Sequence, residues 1–358
     1  MASSVWRCVA VAAAMFSCRA SAQTYSSCNP LSSTSCPADT ALGMAIDVDF
    51  TQGEVNSFSS SGGTPTYGSD GVTFTVAKSG DAPQLTSVFY IMFGRVEFSL
   101  KAAPGAGIVS SFILESDDLD EIDWEWLGAD STEVQSNYFG KGETTTYNRG
   151  QFHEMNENQN DFITYVLDWT SDRIIWTVDG TVVRTLEASD AEDNQYPQTP
   201  MRVKFGVWAG GDSSNAEGTI SWARGPTDYT QGPFSMSVKN VIVTDYSTGS
   251  SYSYGDTSGD WASITSDGGE INANLGGAGT LTTTAVASGS TSTETAPAGV
   301  GGSSSSSSTD SASLPEGWVM TSEGKIVPSA SANLRPVLSF VFSFTLCATL
   351  ASTRRFWS

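Results

Sequence analysis

The sequence predicts an all-β fold, a jelly-roll sandwich of two antiparallel sheets, and three observations predict it. Between residues 23 and 262 the apolar residues fall in short alternating or β-branched runs, separated by Gly, Asp, Asn and Ser. The segment from Val178 to Val182 contains Asp179-Gly180, the pair that supplies the positive φ angles of a type I′ hairpin turn. No long stretch repeats its apolar residues at helical spacing, so the layers must be sheet on sheet.

In chain order the expected strands are Val72 to Val76, Arg95 to Lys101, Ile108 to Leu114, Glu121 to Leu127, Phe162 to Asp168, Ile174 to Val178, Val203 to Trp208 and Ser235 to Thr244. Such runs suit a pleated, half-buried surface. Residues 23–262 are of ordinary size for one sandwich domain.

The flanks read differently. Residues 1–22 place Arg7 before an apolar stretch and end Ala20-Ser21-Ala22, the pattern of a secretory signal cleaved near Gln23. Its removal leaves Cys28 and Cys36 in an oxidising compartment, where a disulfide is the simplest expectation. Residues 263–328, rich in Ser, Thr, Gly and Ala, are too poor in apolar surface to offset their ordering entropy and read as a disordered, O-glycosylated stalk. Residues 329–358 begin with small residues and include an apolar run from Val337 to Ala351, the layout of a glycosylphosphatidylinositol signal attached near Ser329. The basic residues after that run also suit a stop-transfer segment, although 15 residues fall short of the roughly 20 that a spanning helix needs.

The formal charge is −22, from 39 acidic and 17 basic residues, which excludes nucleic acid and an anionic membrane face as partners. Ten Trp, 11 Tyr and 17 Phe exceed what a core of this size requires, and aromatic faces outside a core stack on sugar rings. The only histidine is His153, so zinc lacks ligands, and neither metal nor cofactor is expected. A lone His beside Phe152 reads more readily as a structural residue than as an acid–base partner.

Residues 120–126 read Asp-Glu-Ile-Asp-Trp-Glu-Trp. In a strand Glu121, Asp123 and Glu125 share one face, while Ile122, Trp124 and Trp126 share the other and point inward. Three carboxylates in a row repel one another, which makes a purely structural role awkward. Paired carboxylates suit glycosidic bond cleavage, with Glu121 and Glu125 as the pair and Asp123 separating their pKa values. Their backbones stand about 13 Å apart along a strand, so the side chains must lean together to reach the roughly 5 Å of a retaining enzyme. A solvated acidic strand or a calcium site are the plainer alternatives.

The segment Glu121-Ile-Asp-Trp-Glu125 matches the E-x-D-x-E signature of glycoside hydrolase family 16. With Phe93 to Glu97, Lys101 to Ser111, Ser116 to Leu119, Cys28-Asn-Pro30, Gln135 to Gly142 and Tyr196 to Met201, the chain resembles the fungal Crh-type cell-wall proteins of that family. The resemblance implies a jelly roll with a concave substrate cleft that cuts a chitin donor and joins the freed end to a β-glucan acceptor. It makes Glu121 the nucleophile, Asp123 the assisting carboxylate and Glu125 the general acid and base. Gln135, Asn137 and Tyr138 would reach the donor sugar, although alternation puts Gln135 and Asn137 on one face and would require a bend for Tyr138; an edge strand with solvated amides is the alternative. Trp208 and Trp222 would be cleft aromatics, unless they are core. A secreted monomer of the cell wall, held at the membrane by its lipid anchor alone, is expected. Arg224 and Tyr229 depart from the family pattern and bear on acceptor preference. An endo-acting hydrolase of β-glucan or chitin and a non-catalytic carbohydrate-binding wall protein are the competing readings.

Overall fold

The computed structural model describes residues 26–276 and three further short strands, Thr282–Thr284, Trp318–Met320 and Ile326–Pro328. Two antiparallel sheets form the body. The first has seven strands, in spatial order Gln151–Glu154, Glu133–Phe139, Glu121–Leu127, Ile108–Ser116, Met201–Ala209, Gln84–Ser87 and Phe58–Ser61. The second runs Thr181–Glu187, Arg173–Val178, Ile163–Trp169, Gly94–Lys101, Phe234–Asp245 and Ala45–Asp49; Gly71–Val76 also pairs with Phe234–Asp245 and carries Thr66–Gly68. Thr282–Thr284 lies parallel to Ala45–Asp49. Asp179 and Gly180 take φ of 45° and 77°, the expected turn between Arg173–Val178 and Thr181–Glu187. The only α-helix among the described residues is the short Glu217–Trp222.

Alternation sends Val96, Phe98 and Leu100 into the core from one layer, and Phe112, Trp124 and Trp126 from the other. Phe98 and Phe112 stack across the layers at 4.4 Å between ring centroids, and Trp126 meets Tyr165 edge-on at 4.7 Å. Trp124 and Trp126 are fully buried, as their alternation with the acids predicts. Each contributes about 4–6 kcal/mol of apolar transfer free energy at about 25 cal/mol per Å². Trp126 also donates its indole N–H to the Tyr165 hydroxyl, so its one polar atom is satisfied in the core.

The disulfide joins Cys28 to Cys36 with Cα atoms 5.6 Å apart. A third, small sheet pairs Asp39–Thr40, Ser251–Tyr254 and Ile264–Ser266. Its last strand corrects the expected domain end at residue 262. The chain continues folded to residue 276, where the Asn274 amide donates to the backbone oxygens of Gly43, Asp245 and Ser247. Ser, Thr and Gly at 263–276 resemble a linker in composition, but ladder pairing and side-chain bonds to the backbone need little apolar surface. Trp318–Met320 pairs antiparallel with Ile326–Pro328. The signal peptide, most of the stalk and the anchor signal with Ser329 lie outside the described residues.

Candidate active site

Glu121–Leu127 is an interior strand of the seven-stranded sheet, paired on one side with Glu133–Phe139 and on the other with Ile108–Ser116. Its start is fixed by Asp120, whose carboxylate accepts from the backbone N–H groups of Lys141 and Gln198 and from the Thr199 hydroxyl. Its middle is held from the core side, where Trp176 of the other layer donates its indole N–H to the Asp123 carbonyl at 3.2 Å. Arg184 does the same for the neighbouring strand, donating to the Ser136 carbonyl and hydroxyl. Even-numbered side chains thus engage the core, and Glu121, Asp123 and Glu125 stand together on the outer face.

That face is a recess. Glu121, Asp123 and Glu125 are 2%, 0% and 8% exposed. Burial pushes all three carboxyls up. Asp123 rises to about 7. Glu121 is raised well above the usual range, first by burial, then by the charge of Asp123, a hydrogen bond shared with it, and the charge of Glu125. Glu125 is raised by burial and then by Asp123. Neither Asp123 oxygen accepts a bond from an amide or hydroxyl among the described residues. The neighbouring Glu121 side chain works against burial, holding the Asp123 carboxyl down in part. Burial thus favours the protonated form at each of the three, and with Asp123 raised to about 7 the group holds an acid beside a carboxylate near neutral pH.

Cross-strand register surrounds the acids with the predicted amides. Gln135 lies opposite Glu125 and Asn137 opposite Asp123, so both share the acid face. The Gln135 side-chain oxygen accepts from the Trp222 indole at 3.2 Å, and Trp222 stacks on Trp208 at 6.1 Å. Trp208 donates to the Ser111 hydroxyl at 3.3 Å, and Ser111 is the residue opposite Glu125 on the other side. Both tryptophans are partly exposed and cover Val109, Leu127 and Ala223 on the outer face, at the recess rather than in the main core.

Tyr138 is the exception. It faces inward, opposite Ile122, is 3% exposed, and its hydroxyl accepts from the Glu192 backbone N–H. No bend turns it outward, so the expected sugar contact from Tyr138 is corrected to a core role. His153 also lies on the inward face, bonded to the Ser136 hydroxyl at 2.8 Å. Burial and the nearby Arg184 charge lower its pKa. Arg224 pairs with Asp130 and Glu133, and the Tyr229 hydroxyl donates to Asp212; both departures from the family pattern tie loops at the rim. Phe139, Ser111, Glu115, Lys204 and Gly206 share the acid face but were missed. Only strand register brings them there, and no local motif announces it.

Residues 51–224 match the family described as glycosyl hydrolases family 16. The chain is 54% identical over 344 residues to Crh-like protein 4 of Botryotinia fuckeliana, covering 91% of each chain. It is 59% identical over 254 residues to Crh-like protein 4 of Aspergillus fumigatus, covering 71% of this chain and 56% of that one. Among solved structures it is similar to one described as Crh5 transglycosylase in complex with NAG, with 51% identity and a TM-score of 0.65, covering 67% of this chain and all of that one.

Proposed function

From the premise that this chain belongs to the Crh-like proteins of glycosyl hydrolase family 16 and is an enzyme of glycosidic bonds, we propose that it cleaves chitin with retention and transfers the freed end to β-glucan. The observation that carries this reading is the buried row Glu121, Asp123 and Glu125, with Gln135 and Asn137 in register beside it.

Glu125, kept protonated by burial, gives its proton to the glycosidic oxygen as the bond to the anomeric carbon breaks. The carboxylate of Glu121 attacks that carbon from the opposite side and forms a glycosyl ester. Asp123 holds the proton that Glu121 must give up to become a nucleophile. Glu125, now ionised, takes the proton of an acceptor hydroxyl, whose oxygen displaces Glu121 from the anomeric carbon. A sugar hydroxyl gives a crosslink and water gives hydrolysis; the balance depends on how well the acceptor site excludes water. The similar transglycosylase holding NAG, the repeating unit of chitin, supports chitin as donor. Action as a secreted wall protein, monomeric and lipid-anchored at Ser329, belongs to the same proposal and rests on the sequence of the chain ends.

The test is to incubate the protein with chitin oligomers and fluorescent β-glucan oligomers and measure coupled product against new reducing ends. Coupled product that disappears in Glu121→Gln supports the proposal. New reducing ends without coupling would make the protein a hydrolase.

A further inference from the structure

The turn that leads into the catalytic strand is built on acids. Ser116 ends one strand and Glu121 opens the next; between them Leu119 takes a φ of 68°, and its carbonyl accepts from the Gly142 N–H. Asp118 and Asp120 of this turn are fully buried, as is Thr199, two residues before Met201–Ala209.

One hydroxyl stands between the two carboxyls. The Thr199 Oγ1 lies 2.6 Å from an Asp118 oxygen and 2.9 Å from an Asp120 oxygen. A threonine hydroxyl has a single hydrogen to donate, so it serves one carboxyl, and the second contact is a hydrogen bond only when the other carboxyl carries a proton and donates back. The same Asp118 oxygen takes the Ser116 hydroxyl at 2.5 Å. Its other oxygen has no partner among the described residues and lies under Gly259, where a Cβ would stand 2.8 Å away. Asp117 of the same turn, Asp39 of Asp39–Thr40 and Tyr254 of Ser251–Tyr254 face the pair, against the charges of Lys141 and Arg202. Asp117 is engaged by the Tyr90 hydroxyl at 2.9 Å and by Arg202 at 4.0 Å. Burial and then the charge of Asp118 push Asp120 up to about 7, and burial raises Asp118 and Asp39 as well.

What the pair holds is the head of the strand. The Asp120 carboxyl accepts from the backbone N–H groups of Lys141 and Gln198, and the Ser116 hydroxyl accepts from that of Asp120. Three segments thus meet one residue before Glu121. Without the proton, two negative charges would meet across one hydroxyl in a site closed to water.

We infer that Asp118, Thr199 and Asp120 are positioning residues, a proton-held latch that fixes the backbone at Glu121 and lets go when the shared proton passes to water as pH rises. It rests on the catalytic reading of Glu121 above.

The test is hydrogen exchange of the Lys141 and Gln198 amides at pH 5 and pH 8, corrected for the intrinsic rate. With a carboxyl that titrates near about 7 in the closed latch and near 3.8 in the open one, opening becomes about ten-fold easier per pH unit between those values. Protection of both amides in the unmodified protein should therefore fall about 100-fold from pH 5 to pH 8. Asp118→Asn puts an amide N–H where the shared proton sat, so the same amides should lose no more than about three-fold. In the transfer assay, the ratio of kcat at pH 8 to kcat at pH 5 should be about ten-fold larger in Asp118→Asn than in the unmodified protein. If Asp118→Asn does not fold, Thr199→Val, which removes the bridge at every pH, should already show the low protection at pH 5. Protection that does not fall with pH in the unmodified protein, or that Thr199→Val leaves unchanged, would overturn the latch. Equal kcat ratios despite responsive amides would overturn its hold on Glu121. An unmodified protein that turns over neither polymer overturns the polysaccharide reading and leaves the exchange result standing.

Discussion

Asp123→Asn should make the protein more stable and less active, by an amount that grows with pH. The Asp123 carboxyl releases its proton near 3.8 in an unfolded chain and near about 7 in the folded one. Between those values the folded state binds more protons, so stability falls as pH rises, with the penalty absent below 3.8 and complete above about 7. Three pH units at about 1.4 kcal/mol each set the full penalty at about 4 kcal/mol, of which less than half is present at pH 5. Asparagine has the same shape and carries no such penalty. The advantage of Asp123→Asn should therefore widen by about 3 kcal/mol between pH 5 and pH 8, which is roughly 6–12 °C in melting temperature for a domain of this size. Calorimetric melts of both proteins across that range measure it. A difference independent of pH, or one that narrows as pH rises, would refute the account of a buried, uncompensated acid. In the transfer assay kcat should fall about 100-fold, as expected for loss of a group that handles the nucleophile's proton.

Two further outcomes follow from the same geometry. The alkaline limb of the kcat/KM profile should lie well above 4.5, because burial holds the proton on Glu125, and Glu125→Gln should abolish turnover while the melt shows a folded protein; a limb at 4.5 would remove Glu125 as the acid. Asn274→Ala removes three bonds to backbone oxygens and should cost about 1–3 kcal/mol by denaturant unfolding, whereas an unchanged midpoint would show that residues 263–276 do not belong to the cooperative unit.

Local patterning made the chemistry legible. Period-two alternation in residues 121–126 put the acids on one face and both tryptophans inward, because a pleated strand permits nothing else. The same rule applied to residues 135–138 brings Gln135 and Asn137 to the acids and turns Tyr138 away; the resemblance had drawn Tyr138 outward against its own alternation. Lys204 and Gly206 lie some 80 residues along the chain from Glu125, and nothing near them in sequence states which residues they will face. Residues 263–276 were misread because ladder pairing and hydrogen bonds to backbone, with only Ile264 and Ile271 packed on the core, hold them in place.

Asn274 fixes where the rest of the chain departs. Its partners Gly43 and Asp245 flank and end strands of the second layer, and the carboxylates face outward from the first. Thr282–Thr284, the next described strand, runs beside Ala45–Asp49 in that same second layer. Under the lipid-anchored reading proposed above, a tether drawn from that layer would leave the carboxylate face turned away from the attachment and open to long polymers.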